Sequence, residues 1–136
     1  MSASNLEVIT YAYQKLGVID ENSSPSNEQG VVGLNVLNDY LLNEAADGLR
    51  LGWWKQTSLA ATAPLKDSDI WGVKLLLAVA LAAHYGISLE QTNPKLILDA
   101  QEAKRQLVKR SILYSEADFS ELSRPQGGPW GGPNWI

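Results

Sequence analysis

The chain has 136 residues, 45% of them hydrophobic and 19% charged, with a net charge of −4. That length fits one globular domain and a tail, and the composition excludes a wholly disordered chain. Without cysteine there are no disulfides, thiolate zinc sites or thiol catalysis; one histidine leaves little acid–base chemistry near neutral pH; and the acidic balance argues against a general DNA-coating protein.

Met1 to Glu7 carries neither a basic nor an apolar stretch, so no secretory leader is expected. Ser4 followed by Glu7 reads as a capping box, and Leu6, Ile9, Tyr13 and Leu16 then recur at helical spacing, with Gly17 as the stop. A polar loop, Asp20 to Asn27, leads to a second box, Ser26 and Gln29. It opens a helix of roughly 20 residues that closes at Gly48, within the usual upper length. Leu49 to Leu65 has no helical period. It reads as an extended segment or short hairpin, and connections of that length are usually functional or ordered by a partner. Trp53 and Trp54 lie in it.

The third helix is expected to start at Asp67 or Ser68 as N-cap and to end at Gly86. It is apolar nearly all round, the pattern of a central buried helix. Lys74 and His84 interrupt it, leaving an uncharged run too short for a bilayer, which needs about 20 residues. The fourth helix has Asn93 as cap and Pro94 at its first position, and its inner face carries Leu96 or Ile97, Ala100, Ala103 or Lys104, Leu107 and Val108. Lys104, Arg105, Lys109 and Arg110 fall in its expected last turns, where cations suit the helix dipole. From Ser115 the pattern stops. Glu116, Asp118 and Glu121 stand around Phe119 and Leu122, and then Gly-Gly-Pro-Trp is followed by Gly-Gly-Pro-Asn-Trp-Ile. The sequence therefore predicts an all-α, four-helix bundle over residues 1–114, with an extended connector between helices 2 and 3, and an extended C-terminal arm over 115–136.

Candidate chemistry is sparse. The lone His84 reads as a core or interface residue. No nucleophile elbow, phosphate-binding loop or dinucleotide fingerprint occurs. Asp67 with Asp69 reads as a helix cap, and Glu116 with Asp118 as solvated charges, rather than as a glycosidase pair. No enzyme, no cofactor and no metal site is expected. The basic cluster offers either a phosphate contact or a solvated helix end. In the tail, Pro keeps the chain extended while Trp130, Trp135 and Ile136 supply apolar anchors, the composition of a segment that docks on another protein. Charge also divides: Met1 to Gly48 holds seven acids and one base, the remainder ten bases and eight acids. Opposite-signed parts allow head-to-side stacking of copies.

Three segments in order carry a resemblance. They are Ala12-Tyr13-Gln14-Lys15-Leu16-Gly17-Val18; Leu34-Asn35-Val36-Leu37-Asn38-Asp39-Tyr40 through Asp47-Gly48-Leu49; and Leu77-Ala78-Val79-Ala80-Leu81-Ala82-Ala83-His84-Tyr85-Gly86, followed by the helix from Pro94 with Ala100, Ala103 and Leu107. Together they resemble the head-completion proteins of short-tailed bacteriophages, also called tail accessory factors or packaged-DNA stabilisation proteins. The resemblance implies a structural head-to-tail adaptor of the virion. Its copies, twelve by resemblance, would form a ring below the portal, retain packaged DNA and present a docking surface to a tail nozzle or hub protein. DNA would pass through the channel without sequence-specific binding, and no membrane is involved. Arg124, Pro125, Pro129, Trp130, Pro133, Trp135 and Ile136 would then form a portal-binding arm. Trp53, Trp54, Lys104, Arg105, Lys109 and Arg110 would be subunit or tail contacts. The alternatives are a DNA-binding packaging or regulatory protein using the basic helix end, and a cell-wall hydrolase.

Overall fold

The computed structural model describes the backbone of residues 3–49 and 51–123 and the side chains of 3–49 and 51–112. The protein is all-α. Its helices are α1 (Asn5–Leu16), α2 (Asn27–Ala46), α3 (Asp67–Tyr85), the single turn α4 (Leu89–Thr92) and α5 (Pro94–Ser123).

Local chemistry explains most of the boundaries. The Ser4 hydroxyl accepts from the Glu7 N–H and starts α1. Ser26 and Gln29 form the full reciprocal capping box of α2. Gly17 and Gly86 close α1 and α3 in the left-handed conformation, at φ 76° and 71°. The sequence places the N-cap of α3 one or two residues late: it is Lys66, whose ammonium has no acceptor to offer an N–H, so no side chain caps the helix, and Asp69 in its first turn is buried.

Helix α3 is the centre of the molecule, packing against α1, α2 and α5. Leu75, Leu77 and Leu81 are essentially inaccessible to solvent, and each such side chain contributes about 2 kcal/mol through burial. Two glycines set the close approaches. A Cβ on Gly33 of α2 would lie 2.5 Å from Ile9 Cγ2 of α1, and one on Gly72 of α3 would lie 3.1 Å from Leu107 Cδ1 of α5.

Two expectations change. The turn α4 was not expected; Asn93 N–H donates to Leu89 O and ends it just before Pro94 starts α5. The helix expected to stop near residue 113 runs on to Ser123, so residues 115–123 are helical rather than extended. The basic cluster accordingly sits in the middle of α5, and its last turn has no cation. The connector 49–65 is extended as expected but forms no hairpin among the described residues. Its single β-bridge joins Thr62 to Ser4, and Asn5 N–H and Leu6 N–H donate to Ala61 O and Leu59 O.

Candidate functional site

The connector is held by three amide side chains. Asn38, in the middle of α2, accepts at Oδ1 from the Gln56 N–H (2.9 Å) and the Trp53 indole N–H (3.1 Å), and its Nδ2 donates to Gln56 O (2.8 Å). Gln56 accepts at Oε1 from Asn5 Nδ2 (3.0 Å), which also donates to Ser58 O (2.8 Å). Buried amides of this kind are held to their partners because an unmade bond costs about 1–3 kcal/mol. The connector is thus ordered by its own domain. Sequence reading missed the three amides, which have no spacing signature; a polar residue on the inner face of α2 was the available signal.

This fastening separates the paired tryptophans. Trp53 is buried in the core, whereas Trp54 is 63% exposed. Beside them, a cavity of about 300 Å³ is lined by Leu41, Ala45, Leu49, Leu51, Gly52 and Trp53.

The four basic residues of α5 do not act as one patch. Lys104 Nζ lies 3.3 Å from Glu44 Oε1 of α2, so Glu44 is not a free acid. Arg105 forks onto Glu102 one turn earlier, at 2.6 and 3.2 Å. Arg110 Nε stands 3.4 Å from Oδ1 of Asp69 on α3. Lys109 is exposed. Positions 104 and 110 turn toward the domain, while 105 and 109 lie on the outer face beside exposed Val108 and Ile112.

Asp69 is the unusual group. Its side chain is fully buried, and neither carboxylate oxygen has a hydrogen-bond partner. Burial pushes its carboxyl above the ordinary range, while the charges of Arg110 and Lys66 pull it back.

A shallow groove of about 610 Å³ runs between α2 and α3 past Asp39, Tyr40 and His84. His84 is exposed on it, with its ring edge-on to Tyr85, so of the two expected readings, core or interface, the core one falls. Tyr85 and Tyr13 share a hydroxyl contact of 2.9 Å, and Tyr13 donates to Gln29 O at 2.7 Å, tying α1, α2 and α3 together. Burial raises the Tyr13 phenol well above its ordinary pKa, so it remains a neutral donor.

Among the described residues, no group of three His, Asp or Glu side chains is placed to hold a metal ion. No described helix is long and apolar enough to cross a membrane. Arg124, Pro125, Pro129, Trp130, Pro133, Trp135 and Ile136 lie outside the described residues. No protein-family model matches the chain, and no curated protein matches it.

Proposed function

We propose that the chain is a structural head-to-tail adaptor of a bacteriophage, a four-helix domain repeated in a ring, twelve copies by resemblance, below the portal. It retains packaged DNA and presents the docking surface for the tail, and its place is the virion. The observation that carries the reading is the pinned connector: residues 49–65 are locked to the helices by Asn5, Asn38 and Gln56 and present Trp54 to solvent. A rigid non-helical face with an exposed indole is suited to seating another protein, because little entropy is lost when it docks. The C-terminal segment, with Trp130 and Trp135, supplies the anchor to the portal.

The rival reading, a DNA-binding protein using the basic part of α5, loses ground to the ion pairs. Lys104, Arg105 and Arg110 each already face a carboxylate. Imaging the chain mixed with its candidate portal protein tests the adaptor reading. Rings capping the portal are expected; a chain that ignores the portal yet binds free duplex with steep salt dependence sinks it and favours the rival.

A further inference from the structure

Near the start of α3, Trp71 is 58% exposed, a large apolar ring left in water. Lys74 follows it at i+3 on the same helix face. Its Nζ lies 5.0 Å from the centre of the Tyr11 ring of α1, and Lys15 Nζ lies 5.8 Å from the same ring. Among the described residues neither lysine meets a carboxylate. Along α3, Lys74 has only Ile70, Trp71, Leu77 and Ala78 three and four positions away. An exposed indole thus shares a face with uncompensated ammonium groups.

Near the other end of α3, the groove of about 610 Å³ has the opposite sign. Val36, Ala80 and Ala83 give it apolar walls, and the two alanines keep it open. Asp39 supplies its acid. The Asp39 side chain is exposed and, among the described residues, has neither an ion pair nor a hydrogen-bond partner. Along α2 it has only Asn35, Val36, Leu42 and Asn43 three and four positions away, so nothing on its own helix offsets the charge. Indole and groove cannot meet within one chain. Trp71 and Ala80 are nine residues apart on one continuous helix, about two and a half turns, which sets them on opposite faces about 14 Å apart along the axis.

We infer that the occupant of the α2–α3 groove is Trp71 of a second copy of the chain, with Lys74 of that copy brought to Asp39. The two patches complement each other in both respects. The groove offers apolar surface to an indole, and seating the indole carries Lys74, one turn on, to an acid at the rim. Because the patches differ, the contact is heterologous, and such contacts close into rings when the rotation allows. One indole and one ion pair make a small interface that holds weakly between free chains. Such a contact would join neighbours in the proposed ring, yet it stands whether or not the chain caps a portal.

The full-length chain is followed by sedimentation velocity in a concentration series reaching about 1 mM. Wild type is expected to self-associate, and to do so less in about 1 M salt, where screening acts within about 3 Å. Trp71→Ala should weaken association roughly thirtyfold, as for an anchoring tryptophan, whereas Trp54→Ala should leave it unchanged. Lys74→Glu and Asp39→Lys should each stay monomeric alone, because each sets like charges against one another. An equimolar mixture of the two should regain association, since every indole face then finds a groove of opposite sign. Position 39 is exposed and 74 half-buried, so circular dichroism should be unchanged. If Lys74→Glu loses its helices, the two tryptophan variants decide the matter. A wild type monomeric throughout, association that survives Trp71→Ala, or a mixture no better than its parts overturns the inference. Self-association through Trp71 by a chain that never caps a portal keeps it while sinking the adaptor reading.

Discussion

Asn38 and Asp69 are both buried polar residues, and their consequences are opposite. Asn38 makes three hydrogen bonds to the connector, so Asn38→Ala removes all three and leaves the Trp53 indole N–H and the Gln56 backbone unpaired. At about 1 kcal/mol per bond, it is expected to lower unfolding stability by about 3 kcal/mol in urea titration. Trp54→Ala, at an exposed position, should stay within about 0.5 kcal/mol. Asp69 makes no hydrogen bond through its carboxylate. Its folded pKa lies above that of the unfolded chain, with burial the leading cause. The native state therefore binds the proton more tightly. The stability this gives is fully present below the unfolded pKa, about 3.9, and is lost as pH rises through the folded one. Asp69→Asn keeps the shape without the charge, and Arg110, with a third of its side chain in water, can be solvated. The variant is expected to be more stable than wild type at pH 7, with the difference vanishing at low pH. Melts across pH 3 to 7 check this; a variant less stable at pH 7 would show that the Arg110 attraction outweighs burial.

At the level of elements, the sequence is a good guide wherever boundary chemistry is local. Ser4, Ser26, Gly17 and Gly86 fix helix ends through bonds within a turn of themselves, Pro94 does so through its ring-fixed φ, and all are legible. The departures arise where a distant group decides. Asp69 reads as a cap until Arg110, far along the chain, is brought beside it. The connector reads as functional or ordered by a partner, and only the fold shows Asn5 and Asn38 holding it. The extension of α5 was missed because Ser115, Glu116 and Asp118 interrupt the apolar period. At Gly33 of α2 the side chain of Ile9 from α1 fills the space a Cβ would take. Gly33→Ala raises helix propensity, yet its methyl would enter Ile9 Cγ2, and overpacking of this kind costs typically about 1–3 kcal/mol. The substitution is expected to lower the melting temperature. Pairing it with Ile9→Ala, which removes the Cγ2 methyl, should cost less than the sum of the two single losses.

For the whole molecule, the core and the C-terminal segment make separable contributions. Among the described residues the core runs from Ala3 to Leu107, and Asn5, Asn38 and Gln56 fasten the connector. On the adaptor reading, residues 124–136 serve portal binding and the described core is expected to fold without them. Three prolines restrict the unbound segment, so docking it loses less entropy than docking a glycine-only tail, and Trp130 and Trp135 supply the apolar anchors. An anchoring tryptophan typically loses about 2 kcal/mol or more on truncation, roughly thirtyfold in affinity, and a ring multiplies the loss over its copies. A chain ending at Ser123 is expected to keep the helical circular dichroism and the melting temperature of the full chain and to fail to join the portal in co-sedimentation. Portal binding by the shortened chain would remove the segment as anchor, and loss of its melting transition would place the two tryptophans in the chain's own core.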